Sequence, residues 1–467
     1  MAERMMRIGK ICIKNFKNIQ QGILDLENKR KNYKSSIVGL YGQNGSGKTA
    51  LIDAIQILKY SLCGQSIPDK YADYINVDSE YSLLEFQFKM ETEREHYDIW
   101  YQLCLRKIED NTSVNMEEDK TDVKYKVEIF DEVLEYAYLS SSEKIRKGVL
   151  INTKTNEVFI PKSKYIEFFG NSKENFTDML VTKRLVQTQS KSFIFSRQMI
   201  NAFRKSCNNE RYMNVIEGLV LFGNRELFII DTEKSGLISL DTLPLAFRYK
   251  DRQSETVGNL VLPLNKPAPI PEVASDLIRK VIDNLNIVLK ELVPGLTIGI
   301  IDLGPTVFRD GKAGRLIQLL SLKNGQAIPF QYESEGIKKI VSVLQLLIVV
   351  YNNPSITVAI DELDAGVFEY LLGEFLKLIS EKGKGQLIFT SHNLRPLETI
   401  DRGFIAFTTT NPENRYIRMA NVKDNNNLRD FYYRDIVLGE QDEQLYSPTN
   451  NYEIALALRE AGEAFGS

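Results

Sequence analysis

The chain has 467 residues, 43% of them hydrophobic, and a formal net charge of −3. That length accommodates one large or about two to three ordinary domains with a sizeable core, and the near balance of charge argues against a protein that grips nucleic acid by electrostatics alone. Four scattered cysteines (Cys12, Cys63, Cys104, Cys207) form no C-x-x-C pair and no disulfide framework, no signal-peptide pattern opens the chain and no apolar run reaches the roughly 20 residues of a membrane span, so a cytoplasmic location is expected.

In chain order, the first strong pattern is a strand, a turn and a helix. Ile37, Val38, Leu40 and Tyr41 read as a short buried strand, and Ala50, Leu51, Ile52, Ala54, Ile55, Ile57 and Leu58 recur at helical spacing. Between them Gly42-Gln43-Asn44-Gly45-Ser46-Gly47-Lys48-Thr49 fits G-x-x-x-x-G-K-[S/T] at every fixed position. A glycine-rich turn at a helix start lets backbone N–H groups wrap a phosphate at the positive end of the helix. Lys48 would reach the β- and γ-phosphates of a nucleoside triphosphate, and the Thr49 hydroxyl would hold Mg²⁺. A chance glycine-rich turn is the alternative, and the flanking strand and helix argue against it.

The stretch 83–88 is strand-like. Residues 105–135 are charge-rich with alternating stretches such as Val123-Lys124-Tyr125-Lys126-Val127, which suggests a β-hairpin with a solvated tip. Residues 162–225 mix aromatic and apolar side chains, including Phe168, Phe169, Phe176, Leu180, Leu185, Phe193 and Phe195, and read as a small helical lobe. Its aromatics serve either a core or a partner. No sustained heptad repeat runs through it, so a long coiled-coil arm is not expected. Basic runs at Lys29-Arg30-Lys31 and at 144–147 are either solvated faces or DNA contacts. Pro263, Pro267, Pro269 and Pro271 mark the end of this middle region.

Val341-Ser342-Val343-Leu344-Gln345-Leu346-Leu347-Ile348-Val349-Val350 is the most apolar stretch and fits a buried helix. Ile356-Thr357-Val358-Ala359-Ile360 is a β-branched apolar run, as expected for a central parallel strand buried on both faces. It ends in Asp361-Glu362, and the carboxyl ends of such strands are where ligands bind in open α/β sheets. Asp361 would hold Mg²⁺ directly or through water, and Glu362 would orient or deprotonate the attacking water. A solvated acidic turn is the plainer alternative. Gln386-Leu387-Ile388-Phe389-Thr390 is a further strand, followed by Ser391-His392-Asn393. His392 is one of only two histidines. A neutral imidazole there would hydrogen-bond a γ-phosphate or the attacking water; a solvated surface histidine, as read for His96, is the alternative.

Together these motifs resemble the ATPase heads of the ABC superfamily, in the SMC and RecF branch. Ile11-Cys12-Ile13-Lys14-Asn15-Phe16-Lys17-Asn18 resembles that branch's opening strand, with Lys17 where arginine is usual. Ser334-Glu335-Gly336 resembles the signature motif in degenerate form, and Leu363-Asp364-Ala365-Gly366 resembles the D-loop. Gln87 is the candidate for the Q-loop. The resemblance covers about the first 90 residues and the last 180. It implies an α/β, ABC-type P-loop ATPase head split between residues 1–90 and 286–467, with an inserted β-hairpin and helical lobe at 91–285. It implies ATP and Mg²⁺ as ligands, with Lys17, Ser334, Gly336 and Asp364 among the nucleotide-binding residues beside the loop. It also implies a homo-oligomer in which ATP is sandwiched between one subunit's loop and another's signature, so that Ser334 acts in trans. Ser334 as a plain helix N-cap is compatible with this.

About 75 residues follow His392. Heads of the overcoming-lysogenization type carry a C-terminal nuclease domain of the TOPRIM kind, and no acidic constellation of that kind is expected here. The arrangement resembles the ATPase subunits of two-gene phage-defence systems, whose TOPRIM-type effector comes from the neighbouring gene. The tail, from Asn426-Asn427-Leu428-Arg429-Asp430 to Arg459-Glu460-Ala461-Gly462, is similar to that of the phage anti-restriction-induced group. The resemblance implies a sensor ATPase that holds a toxic effector and releases it on infection, with a phage-encoded trigger protein as a further partner. A RecF-like DNA-repair ATPase that binds DNA and a self-sufficient nuclease are the alternatives.

Overall fold

The computed structural model describes residues 4–28, 35–110, 124–170, 173–250, 255–419, 427–439 and 441–464. Lys29-Arg30-Lys31, the tip of the expected hairpin and Asn426 lie outside the described residues. The chain opens with an antiparallel pair, β1 (Met5–Phe16) and β2 (Ile19–Asp25). β3 (Ser36–Tyr41) then leads into α1 (Lys48–Leu62). Four long strands follow: β4 (Tyr81–Glu91), β5 (Glu95–Glu109), β6 (Tyr125–Ser140) and β7 (Lys144–Asn152). They extend the first pair into an antiparallel sheet in the order β2-β1-β4-β5-β6-β7. β4 alternates strictly, with Leu84, Phe86, Phe88 and Met90 buried and their neighbours turned outward, which is the period of a strand with one face in a core.

Helices α2 (Lys162–Phe169), α3 (Lys173–Thr188), α4 (Arg197–Ser206) and α5 (Glu210–Leu221) come next. Their aromatics pack inward: Phe168 meets the Phe203 ring edge-on at 4.9 Å, and both are fully buried. β8 (Leu227–Ile230) is followed by the short α6 (Thr232–Gly236) and by the hairpin β9 (Thr242–Lys250) and β10 (Glu255–Pro263). A third layer contains β11 (Ala268–Pro271), α7 (Glu272–Leu292), β12 (Leu296–Val307), β13 (Ala313–Lys323) and β14 (Gln326–Pro329). α8 (Glu335–Asn352), β15 (Thr357–Ile360), α9 (Glu369–Lys382), β16 (Gln386–Thr390), α10 (Pro396–Thr399), β17 (Ile405–Thr408) and β18 (Tyr416–Ile417) follow, their strands joining β3 and β8 in a second sheet. α11 (Leu428–Leu438) packs behind it, and α12 (Asn451–Ala464) stands exposed.

That second sheet runs β18-β17-β3-β16-β15-β8, and all of its pairs but β17–β18 are parallel. β15 and β16 are buried at every residue, as a strand covered on both faces must be. α1 lies between the sheets: Leu51, Ile55 and Leu58 share one core with β4 and β5 residues and with Val38, Ala359 and Ile388. The opposite face of the parallel sheet packs against α8 and α9 through Ile37, Val358, Leu346 and Leu376. The fold is therefore α/β.

Residues within the expected insertion at 91–285 contribute strands to both large sheets. β5, β6 and β7 belong to the sheet that β1 and β4 begin, and β8 is the edge strand of the parallel sheet, paired with β15. Alternation along β5 and β6 identifies a half-buried strand without identifying its neighbour, so the local pattern reads as a separate hairpin.

Candidate functional site

β3, β16 and β15 are consecutive in the parallel sheet. Their carboxyl ends carry, in that order, the glycine-rich loop, His392 and the Asp361-Glu362 pair. Parallel pairing in register, Ile360 with Phe389 and Thr390 with Leu40, brings these three ends to one edge. The result is a cleft of about 520 Å³ lined by Lys17, Asn18, Asn44, Gly45, Gly47, Lys48, Thr49, Asp361, Glu362 and His392.

The loop takes the shape its glycines permit. Gly47, the N-cap of α1, has φ +94°, and Gly42 has φ +150°. A Cβ on Gly42 would lie 1.8 Å from Thr408 Oγ1. Both positions exclude a side chain. Lys48 is buried, and its Nζ donates to the carbonyls of Gly42 at 2.7 Å and Gln43 at 3.0 Å. Burial lowers its pKa from the usual lysine range, against the opposing pull of Asp361, Glu362 and Asp364. Thr49 stands exposed at the cleft. Elements remote in sequence brace the loop. The Tyr416 hydroxyl donates to Gly47 O at 3.0 Å, Asn18 Nδ2 donates to Gly45 O, and Ser447 N donates to Gln43 Oε1 at 2.9 Å.

Asp361 is fully buried at the cleft floor. Oδ1 accepts from the Thr390 hydroxyl at 2.5 Å and Oδ2 from the Thr232 hydroxyl at 2.6 Å. Glu362 has φ +48°, a left-handed conformation that costs a non-glycine residue on the order of 1 kcal/mol or more. Its N–H donates to Thr390 Oγ1 at 2.8 Å. The turn thus directs Glu362 into the cleft after a strand whose other residues are sealed. Asp361 and Thr49 both line the cleft and carry oxygen donors, the kind a hard divalent cation takes.

Lys17 lines the cleft, but its ammonium is paired with Asp53 on α1 and lies 3.9 Å from the Tyr74 ring centroid. Burial pushes the Asp53 carboxyl up, and Lys17 opposes that shift. His392 is exposed at the rim. Asp364 Oδ2 accepts from His392 N at 3.0 Å and Asn393 N at 2.8 Å, so this acid orders the backbone that carries the histidine.

Ser334 and Gly336 are not among the cleft's lining residues. Ser334 is the N-cap of α8, its Oγ accepting from Ile337 N at 3.3 Å. Gly336 abuts the Gly366 backbone. The stretch 334–336 and the loop 363–366 therefore form one continuous surface beside the cleft of the same chain. Gln87 sits mid-strand in β4, in register with Lys10 and Trp100, and does not line the cleft. Thr232, Thr390, Asp53 and Asn18 were not among the expected site residues. Asp53 follows Thr49 by one helical turn and Thr390 ends β16, so both had a local signal. Thr232 is 129 residues from Asp361 and had none.

A family model described as an AAA domain matches residues 10–220. No curated protein matches the chain. Among solved structures, an SMC head bound to the C-winged helix domain of ScpA is 14% identical, with 88% of this chain and 97% of that chain covered and a TM-score of 0.40. An SMC head domain from Thermotoga maritima is 13% identical, with 88% and 99% covered and a TM-score of 0.35. The recombination mediator protein RecF-ATPrS is 12% identical, with 89% and 98% covered and a TM-score of 0.36.

Proposed function

We propose that this chain is an ATPase head whose nucleotide site is completed by a second copy of itself. One observation carries this reading: the cleft gathers the loop, Lys48, Thr49, Asp361, Glu362 and His392, while Ser334 and Gly336 lie on a neighbouring surface outside it. Lys48 would hold the β- and γ-phosphates. Mg²⁺, held by Thr49 and Asp361, would supply charge neutralisation at the phosphates. Glu362 would take the proton of the attacking water, and His392 at the rim would hydrogen-bond the γ-phosphate. The α8 N-terminus of the second copy, with Ser334 at its cap, would close the site from the other side. Replacing Glu362 with Gln slows hydrolysis and should trap the ATP-bound dimer. Gel filtration with and without Mg-ATP checks this, and an elution volume that ATP leaves unchanged rejects the composite site.

The sequence resemblance supports a finer reading. In it the ATP state controls a separate toxic effector, a TOPRIM-type nuclease, within an anti-phage defence complex, and a phage-encoded trigger releases that effector. Co-purification with the product of the adjacent gene tests it. A RecF- or SMC-like DNA-repair ATPase is the second reading. Lys144 and Arg146, exposed on the edge strand β7, favour it. ATP-dependent DNA binding that weakens steeply with salt, and is lost on removing these two charges, would select that reading.

A further inference from the structure

α8 begins with two buried lysines. Lys338 is 5% exposed and pairs with Asp241 at 3.3 Å. Lys339 is 3% exposed and makes no ion pair among the described residues. Its Nζ donates to the Ser235 hydroxyl at 2.6 Å. Asp361, Glu362 and Asp364 act on its charge from a longer range. A buried ammonium without an ion pair is costly, and an apolar side chain would pack there at lower cost.

Ser235 lies on α6, three residues after Thr232, whose hydroxyl holds Asp361 Oδ2 at 2.6 Å. α6 itself is fixed by its N-cap Asp231, whose carboxylate accepts from Lys234 N at 2.8 Å. β8 anchors it below, where Asp361 N donates to Ile230 O at 2.8 Å. Lys339 on the second turn of α8 therefore grips α6 at Ser235, and Thr232, three residues earlier on the same short helix, holds Asp361 Oδ2. From there the Thr390 hydroxyl continues to the Glu362 backbone.

We propose that Lys339 is a positioning residue for Asp361 and Glu362, acting through Ser235 and Thr232, so that engagement of the α8 N-terminus by a second copy is transmitted to the acids of the same chain. The inference rests on the composite-site reading above. It distinguishes α6, a five-residue helix with no motif of its own, as the part that joins the two halves of the site.

The test compares the wild type with Lys339→Met, Thr232→Val, Thr232→Ser and the double variant Lys339→Met/Thr232→Val in steady-state ATP turnover. Binding of a fluorescent ATP analogue and thermal melting are measured on each. The expected result is a kcat lowered about tenfold by either Lys339→Met or Thr232→Val, with analogue affinity within about twofold of wild type. Thr232→Ser keeps turnover, and the double variant is no slower than the single ones, because both break the same path. Turnover unchanged in Lys339→Met, losses that multiply in the double variant, or a melting shift that accounts for the lost rate each overturn the inference. If the wild type itself fails to bind or turn over ATP, the ATPase reading falls and the inference falls with it. A wild type that turns over ATP beside an equally active Lys339→Met removes the inference alone.

Discussion

Lys48 and Lys339 are two buried ammonium groups within the field of the same acids, Asp361, Glu362 and Asp364. Lys48 opens onto the cleft, so a ligand's phosphate can meet it directly. Lys48→Ala should weaken ATP about 10- to 100-fold, the worth of a charge-assisted hydrogen bond, and titration with a fluorescent analogue measures it. Lys339 faces only the interior, and burial pushes its pKa down from 10.5 to about 8. Between those values the unfolded chain holds a proton that the folded chain has released, so the residue makes stability rise with pH across this window. Denaturant titrations across it should show wild type gaining on Lys339→Met by roughly 3 kcal/mol. A gap that stays constant would show that Lys339 does not titrate there. Lys48, Thr49, Asp361 and Glu362 were legible because their spacing is local to one loop or one strand end. Lys339 and Thr232 were not, since their partners are about a hundred or more residues away.

At the scale of elements, α8 meets the loop 363–366 through two glycines. A Cβ on Gly336 would lie 2.0 Å from Gly366 O, and Gly366 itself has φ +71°. Neither partner is a flexible side chain that could swing aside. Gly336→Ala should therefore destabilise the fold by about 1–3 kcal/mol through backbone displacement, read as a lower urea midpoint with unchanged slope. The same substitution should disturb the proposed ATP-dependent dimer, because it moves Ser334 relative to the loop. Sequence periodicity identified β3, β15, β16, α1 and α8, each a run whose burial is set by its own residues. It did not show that β8 joins the parallel sheet, because β8 is four apolar residues with no pattern to say which sheet they join.

Across the whole molecule, α1 couples the two sheets. Leu51 is fully buried among residues of both. Leu51→Ala should cost about 2–5 kcal/mol, with both sheets lost in a single transition by circular dichroism. Separate transitions would show that the sheets fold as independent units. The sequence by itself determined the residues of the cleft: a glycine-rich loop with a lysine and a hydroxyl, and two acids at one strand end, each motif carried by residues adjacent in the chain. Tertiary structure alone decided that these ends share one edge, that the antiparallel sheet runs β2-β1-β4-β5-β6-β7, and that Ser334 stands outside the cleft of its own chain. The physical reason is that motif chemistry is local, whereas strand order, register and the meeting of α6 with α8 depend on which buried faces find each other across hundreds of residues.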